Sequence, residues 1–98
     1  MREFVRGAVR LHVLHHAADG GVHGAWMAAE LAEHGYSISP GTLYPTLHRM
    51  EAEGLLRSAN KVVDGRTRRV YRITPAGRRA LRDAKRLLAE LADELLDG

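Results

Sequence analysis

The sequence predicts a mainly helical chain with one small β-hairpin, in the order helix, helix, helix, hairpin, helix. Three observations predict it. Apolar residues recur at helical spacing through residues 3–18, 23–34, 39–54 and 74–96. From Leu55 to Ile73 the period drops to two, around the tight-turn signal Asp64-Gly65-Arg66. Ser39-Pro40 and Thr74-Pro75 each pair a capping hydroxyl with a proline suited to a first helical turn. The 98 residues are 45% hydrophobic and 28% charged, which suits one domain with one modest core. With no cysteine there is no disulfide frame, thiolate metal site or cysteine nucleophile, and a reducing cytoplasm is expected. No apolar run approaches the ~18 residues of a membrane span. Met1-Arg2-Glu3-Phe4 does not read as a signal peptide.

The first helix is expected from Glu3 to Ala18, with Phe4 or Val5, Ala8, Leu11 and Leu14 or His15 as its apolar face. Asp19-Gly20-Gly21 ends it. The second runs from about His23 to His34, on a stripe of Met27, Ala28, Leu31 and Ala32, with Gly35 as C-terminal cap. In the third, Leu43, Leu47 and Met50 repeat at i, i+4, i+7 and Gly54 closes the element. Pro45 cannot donate to the Gly41 carbonyl. The apolar spacing continues through it, so the helix is expected whole, with a distorted first turn. Val62-Val63 and Val70-Tyr71 flank the hairpin turn, and Tyr71 and Ile73 share a face with Arg69. The last helix is expected from Thr74-Pro75 to about Leu96.

Three helices followed by a two-stranded wing is the order of a winged helix-turn-helix domain, whose third helix enters the DNA major groove while the wing follows the backbone. Residues 1–75 are expected to form that DNA-binding domain and residues 76–98 a C-terminal dimerisation helix, as one structural unit. Charge supports this independently. Residues 57–79 hold eight Lys/Arg against Asp64 alone, a net +7, while the segments on either side are each −2. So concentrated an excess calls for a polyanion.

The run Ser39-Pro40-Gly41-Thr42-Leu43-Tyr44-Pro45-Thr46-Leu47-His48-Arg49-Met50-Glu51-Ala52-Glu53-Gly54-Leu55-Leu56 resembles the signature of the PadR family of bacterial transcriptional regulators. His23-Gly24 before it and Arg69-Val70-Tyr71-Arg72-Ile73-Thr74-Pro75-Ala76-Gly77 after it resemble two further family blocks, in the right order. The likeness spans about residues 7 to 81. It implies a dimeric winged-helix repressor, joined through its first and last helices, with an effector site near the dimer interface in many members. The single C-terminal helix resembles the short subfamily. Departures are Ala25 in place of an aromatic, no tryptophan just past the third helix, and His12 and His16 where apolar residues are usual. They leave the DNA-binding reading intact and the effector open.

Candidate DNA-binding residues follow. Ser39, Thr42, Tyr44, Thr46, His48 and Arg49 lie off the apolar stripe of the third helix, where hydroxyls, rings and a guanidinium can reach phosphates and base edges. Tyr44 could instead pack, Arg49 could pair with Glu53 at i+4, and the threonines could be plain helix surface. In the wing, Lys61, Arg66, Arg68 and Arg69 are candidate phosphate binders. Arg57, Arg72, Arg78 and Arg79 are as well explained by salt bridges or solvation.

Leu81, Ala84, Leu88, Leu91 and Leu95 form an a/d seam of two heptads, widened by Leu87 and Leu96. A second copy of the chain is its simplest partner, and the first helix of the same chain the alternative. His12 and His16, one turn apart, could share a zinc-, nickel- or cobalt-type ion, or form a half-buried polar pair. His23, His34 and His48 read as cap, helix-end and DNA-face residues. Trp26, on the polar side of its helix, is exposed, covered by a partner, or part of an organic-effector pocket.

The expected function is therefore sequence-specific regulation of transcription by a homodimeric repressor that binds a duplex DNA operator and is released by a small effector. A metal-responsive regulator of the same fold and a winged-helix module for protein contacts alone are the alternatives. No nucleophile elbow, phosphate-binding glycine loop, dinucleotide fingerprint or HExxH motif is present, so no enzyme is expected.

Overall fold

A computed structural model describes residues 1–97. Its elements are α1 (Arg2–Asp19), β1 (Val22–His23), α2 (Gly24–Glu33), α3 (Pro40–Ala52), β2 (Leu56–Val63), β3 (Arg66–Ile73) and α4 (Pro75–Asp97). The helices fall within a residue or two of the expected bounds. The sheet differs: it has three strands, not two, in the order β1-β3-β2, all antiparallel. Val22 pairs with Tyr71 and His23 with Val70. Two residues are too few to show an alternating pattern, so β1 left no signal in the sequence.

The core is Val9, Val13, Leu14 and Ala17 of α1, Met27 and Leu31 of α2, Leu43, Leu47 and Met50 of α3, Tyr71 of the sheet and Leu81 of α4, with Val22 and Leu56. The α3 stripe is the expected one. The α1 stripe is so only in part: Leu14 is buried and Leu11 packs against the core as expected. Val9, Val13 and Ala17, spaced by four, face the core, whereas Phe4 and Val5 are exposed. Both stripes are apolar at helical spacing, and only tertiary context decides which turns inward.

Local chemistry sets the boundaries. The Ser39 hydroxyl accepts from the Thr42 N–H at 3.3 Å and caps α3. Pro45 stays inside a continuous helix, and the Thr46 hydroxyl donates to the Thr42 carbonyl at 3.2 Å. Asp64 (φ 52°) and Gly65 (φ 77°) adopt the left-handed conformations of a two-residue hairpin turn. The Thr74 hydroxyl accepts from the Gly77 N–H at 3.0 Å, capping α4, and donates to the Gly54 carbonyl at 2.6 Å. That hydroxyl joins the end of α3 to the start of α4.

Beyond Leu81, α4 leaves the core. Leu87, Leu88, Leu91, Leu95 and Leu96 are exposed. Between α4 and the N-terminal half of α1 lies an open apolar groove of about 550 Å³, lined by Phe4, Ala8, Leu11, Leu81, Leu88 and Leu91 among others. Among the described residues, no helix is long and apolar enough to cross a membrane.

Candidate nucleic-acid interface

The face of α3 opposite its buried stripe carries Thr42, Tyr44, His48 and Arg49, all exposed, with Thr46 half-buried. These are the residues expected there, and each has a defined neighbour. Ser39 and Thr42 are bonded through their hydroxyls at 3.2 Å. Tyr44 does pack: a Cβ on Gly24 would lie 2.5 Å from its Cε1, so the ring rests on the start of α2. It is still 39% exposed, so packing and ligand contact are compatible. The His48 ring meets the Tyr71 ring edge-on at 6.4 Å. Arg49 does not take Glu53 as its ion-pair partner among the described residues; Glu53 is paired with Arg10 instead.

Arg10 belongs to a group the sequence reading missed. Arg2, Arg6 and Arg10 recur every four residues on α1 and line a cleft with Thr42, Pro45, Thr46 and Arg49 of α3. They were obscured because residues 1–56 are acidic as a block. The signal was their spacing, which puts three guanidiniums on one helical face.

On the other side of α3 stands the wing. Strand register divides its cations. Ser58, Asn60 and Val62 pair with Tyr71, Arg69 and Thr67, and with Tyr71 buried this face turns toward α3. Arg69 donates to the Ser58 hydroxyl at 2.8 Å, and that hydroxyl donates to the Glu51 carboxylate of α3 at 2.7–2.8 Å. Arg69 is thus tied to α3 and is less free than a phosphate binder was expected to be. Lys61 and Arg68 pair with each other on the opposite face, and Arg66 stands beside the turn at the exposed hairpin tip. The wing cations are therefore not one patch. One is bound toward α3, two face away, and one sits at the tip.

Tyr71 is fully buried between wing and helices, and its hydroxyl has no hydrogen-bond partner among the described residues. Burial, with the nearby Glu51 carboxylate adding to it and Arg69 opposing it, pushes its phenol above the usual value of 10.0.

The other candidates lie away from this face. Of the proposed dimer seam, Leu81 is 8% exposed and belongs to the chain's own core, so it offers only the floor of the α1–α4 groove to a second copy. Ala84 is half-buried, and Leu88, Leu91 and Leu95 are exposed. Trp26 is 43% exposed. It lines a cleft of about 590 Å³ with Lys61, Val70 and Arg72 of the sheet, and its ring meets that of His16 edge-on at 5.3 Å. His12 and His16 do come together, joined by His34 from the end of α2, with one ring nitrogen of each lying within 4.8 Å of the others. The Glu30 carboxylate is 3.2 Å from the His34 Nε2 and 3.6 Å from that of His16. His23 acts as the expected cap, its Nδ1 accepting from the Trp26 N–H at 3.3 Å. Burial first, then repulsion from His34, His16 and His15, holds His12 below the ordinary histidine value of 6.5, with Glu30 opposing.

Comparison with known proteins agrees with this architecture. Residues 13–83 match the model of the transcriptional regulator PadR-like family. Transcriptional regulator Rv3488 of Mycobacterium tuberculosis is 69% identical over 98 residues, covering all of this chain and 92% of that protein. The crystal structure of a PadR family transcriptional regulator from Eggerthella lenta superposes with a TM-score of 0.81 at 33% identity, over 97% of this chain and 84% of that one. That of a PadR-like transcriptional regulator from Bacillus cereus gives 0.83 at 28% identity, over 98% of each chain. With the winged-helix order, the cation-flanked third helix and these relatives in agreement, the chain belongs to the PadR-like family of transcriptional regulators, and is a DNA-binding regulator rather than an enzyme.

Proposed function

We propose that the protein is a sequence-specific, homodimeric repressor acting in the cytoplasm, released from its operator by a small effector. The observation that carries this reading is the position of α3. Its exposed polar face lies between two sets of cations: Arg2, Arg6 and Arg10 of α1 on one side, Arg69 and the hairpin-tip Arg66 on the other. A helix seated in a major groove meets phosphates on both flanks, and this distribution suits that placement. In this reading Ser39, Thr42, Tyr44, Thr46, His48 and Arg49 face the groove, while Lys61, Arg66, Arg68 and Arg69 serve the backbone, Arg69 partly through its tie to α3. Residues 1–75 bind DNA and residues 76–98 dimerise.

The dimer reading is supported by the apolar groove between α1 and α4, because exposed leucines from Leu87 to Leu96 on one helix are costly in water without a partner. Ala84, Leu88, Leu91 and Leu95 would carry it. An organic effector would suit the Trp26 cleft, where an aromatic face meets Lys61 and Arg72.

Selection of bound genomic fragments, followed by gel shifts at several salt concentrations, tests the reading. A recurrent, two-fold-related sequence with retention that falls steeply with salt is expected. No enrichment of any duplex would leave the protein-contact module as the better account.

A further inference from the structure

We propose that His12, His16 and His34, with Glu30, form a divalent transition-metal site that clamps α1 to α2. The sequence pattern supplied only the pair on α1. The fold adds a third imidazole from the far end of α2, and no local sequence rule required its arrival. The three ring nitrogens lie within 4.8 Å of one another. In a tetrahedral site with bonds of 2.0–2.1 Å, neighbouring ligand atoms are ~3.3 Å apart. The two distances from Glu30 to His34 and His16, 3.2 and 3.6 Å, already bracket that edge. Small side-chain rotations bring the remaining nitrogens in. Three imidazoles and one carboxylate, with no thiolate in the chain, suit zinc, cobalt or nickel over softer ions.

The rings are also stacked as a unit. His12 and His34 lie 4.8 Å apart between centroids and 29° from parallel, and Tyr36 closes one side edge-on at 5.3 Å from His12. Imidazoles already packed against one another lose less side-chain entropy on binding an ion than isolated surface histidines do.

The site's place in the fold gives it a role. His12 also lines the groove between α1 and α4, and α2 packs on α3. An ion held here would fix the angle between the helix that borders the groove and the helix that carries α3. That consequence rests on the DNA-binding, dimeric reading above; the site itself does not.

The test uses the full chain, stripped with chelator and titrated with zinc by calorimetry. Trp26, the sole tryptophan and in contact with His16, serves as a fluorescent reporter. Cobalt absorption reports the ligand field. One zinc per subunit is expected, with tetrahedral-type cobalt absorption. His34→Ala, at a side chain 47% exposed and safe to truncate, should weaken zinc binding at least tenfold, and His12→Ala likewise. His15→Ala should change it less than twofold. Absence of saturable binding, or equal affinity in wild type and both variants, overturns the site. So does His15→Ala weakening binding as much as His34→Ala.

Gel shifts with and without zinc then read the coupling. A fivefold or larger change in DNA retention, abolished by His34→Ala, supports it. Unchanged retention overturns the coupling. If no DNA is retained in either state, the DNA-binding reading fails, and the titration of the free protein still decides the site.

Discussion

The Glu51 carboxylate takes the Ser58 hydroxyl at 2.7–2.8 Å and the Ser58 N–H at 3.1 Å, so the last turn of α3 is bonded to the third residue pair of the wing. Arg69 donates to the same hydroxyl from the neighbouring strand. One serine thus fixes the pitch between the helix that would read bases and the hairpin that would follow phosphates.

Ser58→Ala should therefore act on both stability and binding. It removes a charge-assisted bond in a half-buried place, worth about 1.5–3 kcal/mol, less what water restores to Glu51 and Arg69. A midpoint fall of at least ~4 °C is expected by thermal unfolding. Specific DNA should be lost more than non-specific DNA, because the wing's charge survives but its aim does not. An equal loss on both would mean the bond only holds the fold together.

Tyr71→Phe should raise stability at neutral pH, or leave it unchanged, since the buried hydroxyl it removes is unpartnered among the described residues. The alkaline limb is the sharper test. Folded Tyr71 ionises above the unfolded value of 10.0. Its contribution to stability is then fully present below pH ~10 and is lost as the pH rises through the folded value. Urea unfolding at pH 8 and at pH 11 should show wild type losing more stability than Tyr71→Phe. Parallel losses would mean that the buried phenol is not the group titrating.

Gly77→Ala tests the junction between α3, the wing and α4. A Cβ there would lie 2.2 Å from the Leu55 carbonyl oxygen, which is backbone and cannot swing away. Destabilisation of about 1–3 kcal/mol is expected despite the gain in helix propensity. A more stable variant would show that α4 can shift without penalty.

These cases mark what the sequence disclosed. Capping hydroxyls, prolines, the turn at Asp64-Gly65 and the α3 stripe are local features whose chemistry lies within a few residues, and all were legible. The misreadings were long-range. Nothing near Val22 announces that it will pair with Tyr71. Nothing in α1 decides between its two apolar faces. Arg2, Arg6 and Arg10 look like scattered surface charge until α3 lies beside them, and His34 stands 22 residues from His12 along the chain. Arg69 and Lys61 looked alike as members of one basic run; the strand register separates them.

Arg66→Ala isolates the hairpin tip. Arg66 stands beside the turn and has no ion-pair or side-chain hydrogen-bond partner among the described residues, so its removal should not disturb the fold. Affinity should fall by a similar factor for every DNA sequence, and the slope of log affinity on log salt should drop by about 1. A changed base preference at constant slope would instead make Arg66 a reader of bases.

Leu81 and Leu88 belong to one seam in the sequence and border the same groove in the fold, but they differ in burial, and that contrast tests the proposed dimer. Leu81 is 8% exposed and packed with the chain's own core, whereas Leu88 is 46% exposed on the wall of the α1–α4 groove. An aspartate at position 81 would bury an unpaired charge within the subunit and should unfold it. An aspartate at position 88 meets water in the monomer and is buried only if a second copy fills the groove. Leu88→Asp should therefore keep its helical signal by circular dichroism and sediment as a monomer at micromolar concentration. If both variants stay folded dimers, the interface lies elsewhere. If Leu88→Asp also unfolds, the groove is closed within one subunit, and the exposed leucines further along α4 would have to hold the second copy alone.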